Sequence, residues 1–571
     1  MSEEGRRVDP EASGRLLFAL SLLAGALLRL ILLGSPDLFG FDEGTWAVGA
    51  RNLVEGGFAQ FVGLSNAPLG DPSGTPVLFP MILSLMVRIF GPVEWAIRIP
   101  SAAAGLIGAV ILERIVRRSY GQPAGHLAGA FAALFPPLVA ASRAATVEPT
   151  FVALGLAGVI FGLRTFEEDL PGEGVAAGAF FGLAFLAKGY AVALFLGPLL
   201  LALLVRPSLL SLGQTKRSLF RLLAAFVVVG GSHLLLVAIA APASFGFQLA
   251  SSFGASEAAA RAAQLPTAFG ADVKTIIRGL FFFLPLAGLG VAYLSRGVSD
   301  AEIASGATGG ERRLSHGALW AAYGVELLAV VLVAGRLRLS SIPVIPALAA
   351  LAGIGGAALL SPSASPRRRR IETRAVLASG ALVLGAAAIL VSAPDDPLFG
   401  GRSAPFSAAI ALSAIAAAAI GSSLLTSGVA RSRLYGRFGL VFLTALLTAG
   451  GLEASRAIRN DLLTHRTGAR ELAEQIAPAV AGHPPNELAY RGVESEAIAF
   501  RLFRTGRSWS GVPSAEAVAR EKTVACWTFR PGDRLPPLEI RQWLAVNATE
   551  LTTQVDARAG RKTGLQVFGA R

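Results

Sequence analysis

Residues 16–34 read LLFALSLLAGALLRLILLG, an apolar run interrupted by one charge, Arg29. A helix needs about 20 apolar residues to cross a ~30 Å hydrocarbon core, and this run has that length. It is too long for a signal-peptide core and no convincing cleavage site follows it, so it reads as an uncleaved first span. Working outward, comparable runs recur at about 95–112, 124–142, 148–163, 174–187, 189–205, 219–241, 276–295, 316–335, 340–360, 372–393, 403–426 and 438–455. The chain of 571 residues is 53% apolar and 16% charged, with a mean hydropathy of +0.58, where a soluble chain carries about a quarter charged residues. These observations predict an all-α polytopic membrane protein of thirteen spans.

Two segments decide the count. As one helix, Gly174–Val205 would be ~48 Å long, more than the hydrocarbon core, so it is read as two short spans turning near Lys188-Gly189. The segment from Pro76 to Phe90 is short, has prolines at 76 and 80, and carries Arg88. It is read as lying in the interface rather than crossing. With the N-terminus inside, Arg6, Arg7, Arg114, Arg117, Arg118 and the run Arg367–Arg370 fall on the inner side. Fewer bases, among them Arg143, Lys188, Arg336 and Arg338, fall outside. That asymmetry is the positive-inside pattern; letting residues 76–90 span would invert every later loop. The net charge of +13 is explained by these loops, and nucleic acid is not an expected partner. Pro366–Arg370 reads as an inner loop facing anionic lipid.

The domain layout that follows is a membrane domain over 1–455, with a long first outer loop at 35–94 bearing interfacial helices. A second long outer segment, 242–275, contains Phe245, Phe247, Phe253 and Phe269. Residues 456–571 are polar, with short apolar runs such as Thr523–Phe529 between turn signals such as Pro531-Gly532-Asp533. They are expected to form a small soluble α/β domain on the outer face. The single cysteine, Cys526, excludes an internal disulfide, and the five histidines have no zinc-ligand spacing. No metal and no cofactor is expected.

Chemistry-bearing residues collect at the outer ends of the spans. Asp42 and Glu43 follow the first span, at the start of an amphipathic helical pattern containing Trp46. Acids at a helix start also serve as caps, and the local pattern fits both uses. Glu148 lies between two spans in Thr146-Val147-Glu148-Pro149, and Lys188 at the turn before Gly189. Arg336 and Arg338 follow the ninth span. Taken singly, Lys188, Arg336 and Arg338 fit interfacial anchoring by snorkelling, and so does Arg29. Together, acids and bases at one level suit transfer of a sugar from a lipid phosphate. A carboxylate takes the proton of the acceptor hydroxyl, and cations stabilise charge on the leaving phosphate. Intramembrane Glu326 and His233 are costly enough to be functional, though helix–helix hydrogen bonds account for them more simply. A transporter or flippase of a lipid-linked glycan is the alternative, but it would place charge near the midplane of repeated halves. A non-catalytic scaffold would not require Asp42, Glu148 and Lys188 together.

In order along the chain stand Asp42-Glu43, Arg98-Ile99-Pro100-Ser101, Thr146-Val147-Glu148-Pro149, Leu186-Ala187-Lys188-Gly189 and the basic segment before Pro343. Over about residues 16–350 the series resembles the superfamily of dolichyl-phosphate-mannose protein mannosyltransferases and lipid A aminoarabinose transferases, of the GT-C fold. The resemblance implies a membrane glycosyltransferase taking a polyprenyl-phosphate sugar, with inversion, to a lipid, glycan or protein acceptor. It implies Asp42 as general base with Glu43 beside it. Lys188, Arg338, Arg336 and Arg98 would lie toward the donor phosphate, and Glu148 and Trp46 toward the sugar or acceptor. The expected setting is a bacterial plasma membrane, N-terminus cytoplasmic, active site on the far face. The chain departs from the pattern in having Trp46 where many relatives have Tyr. Gly74-Thr75-Pro76 stands where the aminoarabinose enzymes have a lysine-proline-proline segment, and Ser340-Ser341 where an aromatic is usual. These departures argue against aminoarabinose transfer in particular.

Overall fold

The structure is a computed structural model. It describes residues 9–35, 46–54, 77–168, 170–205, 212–240 and 342–360, with positions 38, 43 and 44, scattered positions in 242–323 and 440–500, and strand residues between 488 and 568.

Helix α1 (Pro10–Leu30) opens on Asp9, whose carboxylate accepts from the Glu11 N–H at 2.9 Å, and on a proline in its first turn. Helix α2 (Leu78–Phe90) has 13 residues, about 20 Å of helix, short of a hydrocarbon core. Phe79, Leu83 and Val87 face the protein, while Met81, Leu85 and Ile89 are exposed. It stops at Gly91, whose φ of +79° disfavours any residue with a Cβ. Helix α3 (Glu94–Tyr120) follows and runs past the apolar stretch, so Arg114, Arg117 and Arg118 ride its last turns.

The segment read as one span at 124–142 is broken. Helix α4 (Gln122–Leu134) and helix α5 (Pro136–Arg143) meet at a bend of 52°. Pro136 and Pro137 lack N–H groups and cannot continue the ladder. Helix α6 (Val147–Glu168) and helix α7 (Pro171–Lys188) then pack as an antiparallel pair. After a 3-10 turn at Gly189–Val192, helix α8 (Ala193–Leu204) lies along α6. Phe195 stacks edge-on against Phe151, its ring at Gly155, and Leu199 abuts Gly162. These contacts advance along both helices together, so α8 runs parallel to α6 and the chain reverses at Lys188-Gly189, as the length argument predicts. Helix α9 (Gly213–Ala240) rises parallel to α7, with Gly174 against Ser218, Gly178 against Leu222 and Gly182 against Val229. Glycines let the two backbones approach. Helix α10 (Ile345–Leu360) packs on α4, its Gly353 against Ala124 and Ala128.

Five described segments are long and apolar enough to cross a membrane, or six if the bent α4–α5 pair is one; Gly172–Leu204, which doubles back, is among the five. One continuous apolar core joins these helices. Glu326 and the spans expected at 372–393 and 403–426 lie outside the described residues. Further along, β1 (Leu488–Arg491), β2 (Arg507–Ser508), β3 (Val524–Phe529), β4 (Thr549–Leu551) and β5 (Gly564–Phe568) form a mixed sheet of order β2-β1-β3-β5-β4. The first three strands are parallel, and β5 pairs antiparallel with β3 and β4.

Candidate active site

The helices have two ends with different contents. At one, Arg118 of α3 pairs with Glu167 at 2.8 Å and with Glu168 of α6, while Arg164 pairs with Glu173 of α7 at 2.8 Å. The other end, where α1 stops and α3 and α6 begin, holds Glu43, Arg98, Glu148 and Lys188.

Glu43 is 1% exposed and Arg98, in the second turn of α3, is 2% exposed. The guanidinium grips the carboxylate at both oxygens, Nε donating to Oε1 at 2.6 Å and Nη2 to Oε2 at 2.9 Å. Its Nη1 donates to the Leu33 carbonyl at 2.9 Å, just past α1. The same Glu43 Oε1 accepts from the Ala145 N–H at 2.8 Å. One turn after Arg98, Ser101 Oγ donates to the Thr146 carbonyl at 2.8 Å. The linker between α5 and α6 is therefore held from two sides, and Glu148 follows it directly. Glu148 Oε1 meets Lys188 Nζ at 2.7 Å, with the two side chains 19% and 17% exposed. Each charge also suits its helix end, the acid in the first turn of α6 and the base in the last of α7.

Residues far apart in sequence thus meet through one linker: Glu43, Arg98, Ser101, Glu148 and Lys188. Arg98 was expected toward a donor phosphate, and its guanidinium is closed onto Glu43 and Leu33. Trp46, in the helical residues 46–54, sits edge-on to Phe79 of α2 with ring centroids 5.4 Å apart. Leu53 and Val77 cluster with Val237 of α9, and Phe245 packs against this cluster. Asp42, Arg336 and Arg338 lie outside the described residues. Among the described residues no group of three or more His, Cys, Asp or Glu side chains is placed to hold a metal ion.

Two arginines behave differently from the sequence reading. Arg29 does not snorkel; it is fully buried, donating from Nη1 to the Gly25 carbonyl at 3.0 Å and the Ala133 carbonyl at 2.6 Å. In an unbroken helix Ala133 would accept from residue 137, which is proline and has no N–H. Arg29 Nη1 therefore satisfies a carbonyl that the proline pair frees. Arg143, counted only as a loop charge, donates from Nη1 to the Leu28 and Ile31 carbonyls at 2.7 and 2.8 Å. It caps the C-terminus of α1, where helix carbonyls otherwise lack donors.

Against known proteins, the profile of the family described as dolichyl-phosphate-mannose-protein mannosyltransferase matches residues 74–232. The "Putative mannosyltransferase YycA" of Bacillus subtilis (strain 168) is 32% identical over 123 residues, which are 21% of this chain and 18% of that protein. The aligned part is thus under a fifth of that relative's length. The crystal structure of ArnT from Cupriavidus metallidurans bound to undecaprenyl phosphate superposes with a TM-score of 0.61 at 19% identity, covering 97% of both chains. Its apo state gives 0.58 at 18% identity, with the same coverage. The chain has the fold of ArnT.

Proposed function

We propose that this chain is an integral-membrane glycosyltransferase that moves a sugar, with inversion, from a polyprenyl phosphate to an acceptor at the outer face. The observation that carries the reading is the joining of Glu43–Arg98 and Glu148–Lys188 through residues 145–148 at one end of the helices. The matched family profile and the ArnT fold support it from outside the chain.

In this reading Asp42 is the general base. Glu43 is spent on Arg98 and Ala145, so its part is to anchor the backbone next to Asp42; Arg98 is then a positioning residue rather than a phosphate ligand. The donor phosphate sits by Lys188, with Arg338 and Arg336 completing the cation set. Asp42 removes the acceptor hydroxyl proton as that oxygen attacks the anomeric carbon. The bond from that carbon to the phosphate oxygen breaks, and polyprenyl phosphate leaves with the electron pair. Cations near that oxygen lower the barrier where charge develops. Glu148 and Trp46 face the sugar or acceptor. The thirteen-span layout, a cytoplasmic N-terminus, and an outer α/β domain over 456–571 that selects the acceptor belong to the same proposal.

The test is turnover. Purified protein is incubated with a panel of polyprenyl-phosphate sugars and a membrane extract as acceptor source, and free polyprenyl phosphate is followed. Release from at least one donor, lost in Lys188→Met, is the expected result. No release and no binding with every donor would overturn the reading and favour a transporter.

A further inference from the structure

We infer that Glu148 is an internal competitor of the donor phosphate: its carboxylate and the phosphate contend for Lys188, and it thereby sets the affinity for lipid phosphate. The inference rests on the assignment of Lys188 to the phosphate made above, and adds what the carboxylate does there.

The geometry motivates it. Glu148 Oε1 lies 2.7 Å from Lys188 Nζ, a direct charge-assisted contact. An incoming phosphate oxygen would need that same approach to the ammonium. Neither side chain is sealed in, at 19% and 17% exposure, in contrast to Glu43–Arg98 at 1% and 2%. The buried pair is built to stay closed, and the half-buried pair can open. The backbone on both sides is fixed. Ala145 and Thr146 are held by Glu43 and Ser101, and Lys188 ends α7 just before Gly189, whose φ is +56°. Exchange therefore requires only side-chain rotation of Glu148. A phosphodiester donor carries one negative charge, and replacing one anion by another keeps the ammonium neutralised throughout. Once displaced, the carboxylate is available to hydroxyls of the sugar, which reconciles this role with the one given above. The same competition acts on the product, so Glu148 speeds departure of polyprenyl phosphate.

Binding of undecaprenyl phosphate in detergent micelles, with undecaprenol as the neutral control, tests this. Glu148→Gln keeps the size and removes the charge. It should bind undecaprenyl phosphate about tenfold more tightly, equivalent to ~1.4 kcal/mol, with the gain shrinking at high salt. Undecaprenol binding should not change. Glu148→Asp draws the carboxylate back by one methylene and should fall between wild type and Gln; it carries the test if Gln does not fold. In the Lys188→Met background the Glu148→Gln gain should vanish. In turnover, Glu148→Gln should lower KM and kcat together. Equal or weaker binding by folded Glu148→Gln and Glu148→Asp, with binding lost in Lys188→Met, would overturn this inference alone. No undecaprenyl phosphate binding by any variant would overturn the donor assignment and this inference together.

Discussion

Arg98→Met is the sharpest test of the buried framework. The substitution removes the bonds from Nε and Nη2 to Glu43 at 2.6 and 2.9 Å and the bond from Nη1 to Leu33 at 2.9 Å. It leaves a carboxylate that is 1% exposed facing a thioether. Breaking a buried ion pair by removing one partner costs about 3–5 kcal/mol, because the other charge stays behind. Removing the second charge as well should recover much of that. Gln at position 43 can still accept from the Ala145 N–H, whose loss would otherwise cost about 1–3 kcal/mol. The account therefore predicts a loss of about 3–5 kcal/mol for Arg98→Met and roughly half of it restored in Glu43→Gln/Arg98→Met. Equilibrium unfolding in mixed micelles, read by tryptophan fluorescence, gives both values and the coupling between the sites. Arg98→Met within about 0.5 kcal/mol of wild type, the range of ordinary surface changes, would refute the closed pair.

Other outcomes follow from packing and capping. Gly178→Ala should destabilise by about 1–3 kcal/mol, because a Cβ there meets the Leu222 carbonyl of α9. Gly172→Ala, with open space around its Cβ, should be neutral or gain about 0.5–1 kcal/mol; the same unfolding assay separates the two. Arg29→Met strips the donor from the Ala133 carbonyl, at about 1–3 kcal/mol, but also removes a fully buried guanidinium, so its net cost should fall below that of Arg98→Met. Arg15→Met, from an exposed pair with Glu11, should change stability by less than about 0.5 kcal/mol.

Much of the helical layout is readable because hydrocarbon thickness is a hard constraint. The length of Gly174–Val205 forces a turn, and Lys188-Gly189 is where a charge and a glycine make one possible. The same reasoning reads the short α2 as non-spanning, since its 13 residues make only about 20 Å of helix. It failed at Phe135-Pro136-Pro137, where apolar residues flank the prolines and a hydropathy window runs through the break. The prolines themselves carried the information. That Glu43, Glu148 and Lys188 gather at one end of the helices was also legible, because charge collects at span ends. Pairing was not: Glu43 and Arg98 are 55 residues apart, and nothing in a linear pattern says which base a carboxylate meets. Arg98 was placed with the phosphate ligands through the family resemblance, and burial is what separates it from Lys188. Arg29 and Arg143 were read as interfacial charges because backbone acceptors freed by a helix break or end are invisible in composition.

The central claim is that the acid beside the buried Glu43 does chemistry. The most direct measurement uses the donor identified by the release panel and compares wild type with Asp42→Asn. The account predicts turnover lower by about 100-fold or more, the scale of a lost general base, with binding of the lipid donor retained. Asp42→Asn that transfers sugar at the wild-type rate would contradict it.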